Sequence, residues 1–340
     1  GKLAFGTIDS FLLWRLTGGS QHATDATNAS RTLLFNIHTQ RWDEELLEIF
    51  NIPRGLLPTV LDSAADFGIA TDECLAGEVP ILGMAGDQQA ALIGQAGFGY
   101  GMTKSTYGTG CFVIANTGKQ VLSSENKLLT TVAMRLNGEP VYALEGSVFV
   151  AGSAIQWLRD EMHIVESAAE TETIARRTGV VDDVIVVPAF AGLGAPYWDP
   201  DARGAILGLT RGSGRDQVVT ATLQSVAYQT RDLVKAMADD GISPAVIRVD
   251  GGMVANDWFL QFLADILDIP VERPLNVEST VLGAAYLAAF GAGILTSPGQ
   301  IAEYWQLDAR FDPAMSSDRR EHLIDGWRAA VSRIRNDERN

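Results

Sequence analysis

Four short segments of this 340-residue chain combine polar side chains with glycines that leave room for a ligand. The first is Gly86-Asp87-Gln88-Gln89, which we expect to follow a buried strand at 79–85 and to begin a helix. In open α/β sheets, ligands gather at the carboxyl ends of strands, where a carboxylate can accept a proton from a substrate hydroxyl. Asp87 can equally serve only to cap the helix, and this segment alone leaves both interpretations open.

The second segment, Tyr107-Gly108-Thr109-Gly110-Cys111, lies between two strand-like runs. Glycine on both sides of Thr109 lets backbone N–H groups face an anion, and the hydroxyl adds a donor, so the segment suits a phosphate. A plain glycine hairpin turn is the alternative, and from this segment alone it is favoured. The nucleotide-binding patterns GxxxxGK[ST] and a GxGxxG that opens a βαβ unit do not occur.

The third segment is VDGG at 249–252, followed by Asn256. Its glycines allow a flat ring or a phosphate to approach closely, and the start of the next helix favours negative charge. A tight strand-to-helix turn explains the same residues equally well. The fourth segment, GLGAPYWDP at 192–200, is too apolar for a solvated linker, so we expect it to pack near the cleft, with a structural role favoured.

The elements that must position these segments follow from the order of the patterns. Strand-like runs separated by turn signals occupy residues 102–145, and helix and strand patterns alternate after them. This order predicts an α/β protein with a mixed sheet flanked by helices. The glycine-rich run at 97–101 lacks helix signals, so we predict two domains, residues 1–97 and 98–340, as the chain length also suggests.

Composition excludes several classes of function. The chain has 26 Lys and Arg against 42 Asp and Glu, a formal charge of −16, which makes nucleic acids and anionic membranes poor partners. The two cysteines, Cys74 and Cys111, are far apart, and the histidines show no metal-ligand spacing, so a reducing cytosol is favoured over a disulfide framework or a zinc site. The uncharged stretch at 279–302 contains Gly and Pro, which favours a buried helix and a loop over a lipid span.

Seven motifs, in order along the chain, resemble those of the FGGY carbohydrate kinases, and within that family those of the members that phosphorylate glycerol. They are TNASRT at 27–32, FNIH at 35–38, GDQQAA at 86–91, YGTGCF at 107–112, AGSAIQWLRDEM at 151–162, GLGAPYWDP at 192–200 and RVDGGMVAN at 248–256. The resemblance implies an actin/Hsp70/sugar-kinase type fold with ribonuclease-H-like mixed sheets and ATP between two domains. Residues 1–97 would then be the remainder of the N-terminal, glycerol-side domain, and 98–340 the C-terminal, nucleotide-side domain.

The resemblance also implies roles for individual residues. Asp87 would be the catalytic base that takes the proton from the terminal hydroxyl of glycerol, with Mg²⁺ nearby, and Gln88 and Phe112 would line the glycerol site with it. The nucleotide would lie against Thr109, which faces the transferring phosphate, and against Gly110, Gly152, Gln156, Gly252 and Asn256. The implied partners are glycerol and ATP, in a cytoplasmic dimer or tetramer.

The chain departs from the family at its start, where members normally carry an Asp-x-Gly-Thr-Thr hairpin that binds phosphate and magnesium. No DxGTT occurs here, so we expect a fragment or a split-gene product whose first domain is incomplete and which alone shows little turnover. Robust glycerol-dependent release of ADP in a coupled assay would contradict this expectation. Two alternatives stay open: another FGGY polyol or sugar kinase, which a substrate panel separates, and a nucleotide-binding module without catalysis, which calorimetry with ADP separates.

A second departure concerns regulation. In some bacterial members of the family, a basic residue shortly before the catalytic aspartate binds a regulatory sugar bisphosphate, and the matching position here is Glu78. Because a carboxylate repels that anion, we predict that fructose 1,6-bisphosphate does not inhibit the enzyme. Initial rates measured with and without the bisphosphate test this prediction, and measured inhibition would overturn it.

Overall fold

The computed structural model describes residues 3–71 and 77–335. The α-helices of these residues are α1 Ile8–Leu16, α2 Ala26–Ala29, α3 Glu44–Ile49, α4 Asp87–Gly94, α5 Gly152–Asp160, α6 Glu170–Thr178, α7 Arg215–Asp239, α8 Asp257–Leu267, α9 Ser279–Gly291, α10 Pro298–Tyr304 and α11 Ser317–Ile334. The strands are β1 Ala23–Asp25, β2 Phe35–Asn36, β3 Arg41–Trp42, β4 Thr59–Leu61, β5 Ile69–Ala70, β6 Val79–Pro80, β7 Thr103–Tyr107, β8 Cys111–Gly118, β9 Leu129–Leu136, β10 Glu139–Val148, β11 Ile185–Val187, β12 Ala205–Leu207, β13 Ile247–Asp250, β14 Val271–Pro274 and β15 Leu307–Phe311.

A mixed sheet organises most of the described chain. Its seven strands lie in the order β15-β14-β13-β7-β8-β10-β9. Strand β13 pairs in parallel with both β14 and β7, whereas the pairs β7–β8, β8–β10 and β10–β9 are antiparallel. The prediction of an α/β fold with a mixed sheet flanked by helices is therefore confirmed.

One face of this sheet forms the main hydrophobic core. Alternate residues of a strand point to the same face, and Tyr107, Cys111, Val113, Leu144 and Val249 all pack in one buried cluster. Residues of α7, α8 and α11 pack on this face of the sheet and belong to the same cluster. α7 is 25 residues long and buried along most of its length, and it packs across β8 and β10.

The opposite face of the same strands is polar near its carboxyl edge. Lys104 in β7 pairs with Ile114 in β8, which pairs with Glu145 in β10, so the three residues lie in a row on this face. Thr106 in β7 pairs with Asp250 in β13, and both belong to the same face. Lys104 and Glu145 are buried, so this face requires cover that can satisfy charged groups.

The cover is supplied by α4, which is itself covered by α9. Leu92 of α4 packs on Ile114 with Ala133 and Ala143. The two helices cross where both have glycine: a Cβ on Gly94 would lie 2.0 Å from the carbonyl oxygen of Ser279, and one on Gly283 would lie 1.8 Å from that of Ala90. Only residues without a Cβ allow this approach, so the glycines set how closely α4 is held.

The strand predicted at 79–85 is wrong. β6 covers only Val79 and Pro80, which are exposed and pair antiparallel with β5. The rest of the run is an extended, half-buried segment joined to residues 63–68 by backbone hydrogen bonds. Ile81 and Met84 pack in a small cluster with α1 and β1, while Gly83 touches the backbone of α9. The apolar residues therefore serve two separate contacts and not the centre of a sheet.

The structure also contains elements for which the sequence pattern gave no clear signal. β1 pairs in parallel with β4, and neither is among the strand-like runs described above. Both strands are three residues long, too short to show an alternating pattern.

No helix among the described residues combines the length and the hydrophobicity needed to cross a lipid bilayer.

We predict that Gly283→Ala destabilises the protein. Its added methyl would meet the carbonyl oxygen of Ala90, and such overpacking costs roughly 1–3 kcal/mol. Urea unfolding followed by circular dichroism measures the change. Gly55→Ala is the matched control, since a Cβ there meets no atom within 4 Å and its effect should stay within about 0.5 kcal/mol. Equal effects of the two substitutions would contradict the close helix crossing.

Candidate active site

Asp87 is the first residue of α4, directly after Gly86 at the N-cap. Its carboxylate is exposed. One oxygen accepts the backbone N–H of Gln88 at 2.8 Å and the other accepts Nε2 of Gln88 at 3.2 Å. The position before the helix is occupied by a glycine without a capping side chain, and Asp87 presents its carboxylate to solvent at the helix start.

A network around the buried carboxylate of Asp25 holds the residue before Asp87 in place. Thr27 Oγ1 donates to Asp25 at 2.9 Å and accepts the backbone N–H of Gly86 at 2.8 Å. Asp25 also accepts the Ser63 hydroxyl at 2.8 Å. Complete burial raises the pKa of Asp25, although its hydrogen bonds oppose the shift. This network ties the TNASRT motif to the residue before Asp87.

Beneath Asp87, a buried lysine connects α4 to the sheet. The Lys104 ammonium donates to Oε1 of Gln88 at 2.5 Å and to Oγ1 of Thr106 at 2.6 Å. Burial lowers the pKa of Lys104, while the nearby carboxylates of Asp250, Glu145 and Asp87 raise it. The contact chain Asp87–Gln88–Lys104–Thr106 therefore runs from the helix start to the edge of β7.

Glu145 adds a second buried charge to this face. Oε1 accepts Arg31 of the TNASRT motif at 3.0 Å, while Oε2 is buried without a hydrogen-bond partner. Burial raises the pKa of Glu145, and the positive charges of Arg31 and Lys104 oppose that shift. The polar face thus carries positive and negative groups, and each favours the charged form of the other.

Three glycine-containing loops meet at the same edge of the sheet. A Cβ on Gly152 would lie 2.5 Å from the carbonyl oxygen of Gly108, and one on Gly251 would lie 2.5 Å from that of Tyr107. Gly251 also has a φ of +92°, a conformation that favours glycine. The backbone N–H of Gly152 donates to Gly108 at 2.9 Å. The loops after β7, β10 and β13 are therefore in direct backbone contact.

These loops border a cavity of about 440 Å³. Five of the six residues assigned to the nucleotide by resemblance line it, namely Thr109, Gly152, Gln156, Gly252 and Asn256. Gly110 does not line it, because it is buried where a Cβ would lie 2.6 Å from the carbonyl oxygen of Val148. α5 begins at Gly152 beside this cavity. The N–H groups of Gly152 and Ser153 already donate to the carbonyl oxygens of Gly108 and Thr109, whereas Thr109, Gln156 and Asn256 offer side-chain donors at the cavity wall.

A neighbouring cavity of about 460 Å³ lies on the other side of the 251–255 segment. Thr106 and Asp250 line it, and Gly252 and Ala255 border both cavities. Because Thr106 contacts Lys104, this second cavity adjoins the contact chain that begins at Asp87. The carboxylate and the glycine-walled cavity at Thr109 therefore lie at the same edge of the sheet.

Phe112 lies on the polar face, half-buried, in register between Thr106 and Ser147. It is therefore on the side of the sheet that α4 covers. The fourth segment packs elsewhere: a Cβ on Gly194 would lie 2.5 Å from the carbonyl oxygen of Ser147, and the Tyr197 hydroxyl donates to Asp232 at 2.7 Å. Its residues 192–200 do not line the cavity at Thr109.

Sequence reasoning assigned no role to Thr27, Arg31, Lys104 or Glu145. The first two lie in a motif that we quoted without a function. A lysine in a strand flanked by buried residues is the signal that could have pointed to Lys104. Cys74, the other cysteine considered above, lies outside the described residues, whereas Cys111 is a buried free thiol.

Comparison with known proteins agrees with the seven motifs. The N-terminal domain of the FGGY family of carbohydrate kinases matches residues 2–94, and the C-terminal domain of that family matches residues 103–292. The chain belongs to the FGGY family of carbohydrate kinases. The resemblance noted in the sequence is thereby confirmed.

Several relatives are similar over nearly the whole chain. The glycerol kinase of Ectopseudomonas mendocina is 61% identical over 99% of this chain and 68% of the relative. Glycerol kinase 1 of Pseudomonas aeruginosa is 60% identical with the same coverage. This chain thus spans about two thirds of the length of these relatives.

Solved structures show the same fold. The crystal structure of Plasmodium falciparum glycerol kinase with ADP has a TM-score of 0.90 and 39% identity, covering 97% of this chain and 67% of that one. The xylulose kinase of Lactobacillus acidophilus has a TM-score of 0.85 at 22% identity, covering 96% of this chain and 67% of its own. The sugar-kinase fold predicted from the sequence is confirmed.

We predict that Cys111 resists alkylation in the folded protein. Burial raises the pKa of its thiol to about 11, and only the thiolate is nucleophilic. At pH 8, iodoacetamide should react with Cys111 at least about 100-fold more slowly in the native protein than in urea. Peptide mapping by mass spectrometry separates Cys111 from Cys74. Equal rates in the two states would show that the segment after the Gly-Thr-Gly turn is open to solvent.

Proposed function

We propose that this chain carries the catalytic aspartate and the nucleotide cleft of an ATP-dependent kinase that converts glycerol to sn-glycerol 3-phosphate. The single observation that carries the proposal is that an exposed carboxylate and a glycine-walled cavity lie at the same edge of one sheet. The identity of about 60% to proteins named glycerol kinase supports glycerol as the substrate. ADP in the Plasmodium structure supports the nucleotide.

In this proposal Asp87 acts as the general base. Its carboxylate takes the proton from the terminal hydroxyl of glycerol as the oxygen attacks the γ-phosphorus, and the bond from that phosphorus to the ADP oxygen breaks. Gln88 binds glycerol beside Asp87, and Phe112 packs on its carbon chain. Phosphoryl transfer depends mainly on positioning and on neutralising charge, and this arrangement can supply both.

The nucleotide occupies the cavity at Thr109. Thr109 and the N–H groups around it face the transferring phosphate, with Gly110 holding that turn in place. Gly152 and Gln156 line the cavity from α5, and Gly252 and Asn256 line it from the segment that precedes α8. The oxygen of Asn256 already accepts the N–H of Phe259 at 2.9 Å, which leaves its amide N–H₂ to contact the nucleotide.

The donors among the described residues fit Mg²⁺ through a single carboxylate. They contain no group of three or more His, Cys, Asp or Glu that could hold a metal ion. Mg²⁺ commonly uses only one or two carboxylates and otherwise waters and phosphates, so the exposed Asp87 fits as its protein contact. When bound, the ion would neutralise phosphate charge.

We also propose the division of labour and the assembly that the resemblance implies. Residues 1–97 form the glycerol side and residues 98–340 the nucleotide side, in a dimer or tetramer located in the cytoplasm. Sedimentation velocity measures the assembly, and a monomer at micromolar concentration would contradict that part.

We predict that Gly252→Leu weakens ADP binding at least about tenfold, a loss of about 1.4 kcal/mol. A Cβ at Gly252 meets no atom within 4 Å, so the larger side chain enters the cavity without disturbing the fold. Isothermal titration calorimetry with ADP measures the affinity, and Gly55→Leu is the matched control at another open position. Unchanged affinity in Gly252→Leu would place the nucleotide elsewhere.

We predict that Asp87→Asn lowers the residual glycerol-dependent ADP release expected of this chain by about 10²–10⁴-fold, because a general base contributes that much. The affinity for ADP should change less than twofold, since Asp87 does not line the cavity at Thr109. Glu48→Gln removes an exposed carboxylate of α3 and serves as the control. Unaltered turnover in Asp87→Asn would exclude Asp87 as the base. ADP binding without any turnover by the unmodified chain would favour a nucleotide-binding module.

A further inference from the structure

The reaction proposed above assigns no role to the buried ammonium of Lys104. The Lys104 side chain is fully buried on the polar face of the sheet, and both of its hydrogen bonds, to Gln88 and Thr106, are shorter than 2.7 Å. A buried ammonium is costly unless it is paired and hydrogen-bonded. Its position directly beneath Gln88 links that cost to the substrate-binding side chain.

We propose that Lys104 is a positioning residue that fixes the orientation of the Gln88 side-chain amide for binding of the polyol. This inference rests on the proposed function and assigns the residue that arranges its glycerol site.

The chemistry of the donors determines the orientation. A lysine ammonium has three donors and no acceptor, so only the carbonyl Oε1 of Gln88 can face it. Nε2 then points the other way, where it donates to Asp87 at 3.2 Å. Rotation of the amide by 180° would bring N–H groups against the ammonium and a carbonyl oxygen against the carboxylate, both of which are repulsive.

The fixed amide suits a substrate hydroxyl. Nε2 carries two hydrogens, one directed to Asp87, and no described residue accepts the second. A terminal hydroxyl of glycerol can accept that second hydrogen while donating its own proton to Asp87. Lys104 therefore acts through Gln88 and does not itself touch the substrate.

The support beneath Lys104 is rigid. The strand register places Lys104 beside Ile114 in β8 and Arg248 in β13, and Glu145 lies one strand further in the same row. The opposite face of β7 is closed by the main core. Groups held on strands with supporting hydrogen bonds keep binding side chains in place more precisely than loops do.

The test is a double-mutant cycle on the full chain with Lys104→Met, Gln88→Ala and the pair. Steady-state kinetics gives the KM for glycerol and for ATP. The side-chain amide signals of ¹⁵N-glutamine-labelled protein give the state of Gln88, whose signal is identified by its loss in Gln88→Ala. Ser105→Ala is the matched control, since Ser105 is a buried neighbour on the opposite face of β7.

We expect Lys104→Met to raise the KM for glycerol at least tenfold and the KM for ATP less than twofold. In the Gln88→Ala background the same substitution should change the KM for glycerol less than twofold, because residues that act as a unit are not additive. The Gln88 amide signal should shift in Lys104→Met and stay in place in Ser105→Ala. Lys104→Gln retains a donor and should give a smaller rise in KM; it also serves if Lys104→Met does not fold.

Three results would overturn the inference: an unmoved Gln88 amide signal, equal rises in both KM values, or additive effects in the cycle. The amide signal is measured without turnover. A chain that binds no glycerol but shows the amide shift therefore contradicts the proposed function and leaves the role of Lys104 supported.

Discussion

The burial of Lys104 between a sheet and a helix is the constraint from which the arrangement of the site follows. An ammonium on the inner face of β7 can be tolerated only if α4 brings an acceptor to it, and α4 does so through Oε1 of Gln88. Once that contact is made, the start of α4, and Asp87 with it, is placed over the edge of the sheet. The glycines Gly94 and Gly283 at the helix crossing allow α9 to pack closely against α4.

The nucleotide side depends on a different kind of contact. Three loops approach one another through backbone atoms, with glycine at each point of closest approach. This leaves the exposed Thr109 turn at the wall of a cavity that the side chains of Gln156 and Asn256 also line. Such a turn suits phosphate, since its glycines let a hydroxyl donor approach the anion without added bulk. The acidic surface of the chain makes this local set of donors more important for attracting an anion.

Much of this arrangement could be predicted from the sequence because it depends on local patterns. The strand-like runs at 102–145 and the helix in the stretch 279–302 follow from local patterns, and the structure has β7 to β10 and α9 there. Five of the residues that line the cavity at Thr109 were identified through the motifs. The failure at 79–85 has a tertiary cause, since an apolar run does not indicate whether its residues meet one partner or two. Lys104 was missed because alternation shows which residues share a face but not which helix will cover it.

The central claim is that Asp87 faces a polyol on one side and the terminal phosphate of a nucleotide on the other. A crystal structure of this chain with glycerol and a non-hydrolysable ATP analogue tests it most directly. The account predicts a terminal glycerol oxygen within about 2.6–3.2 Å of an Asp87 carboxylate oxygen, with the γ-phosphate beside Thr109. Glycerol bound away from Asp87, or a nucleotide outside the cavity between Thr109 and Gly252, would contradict it.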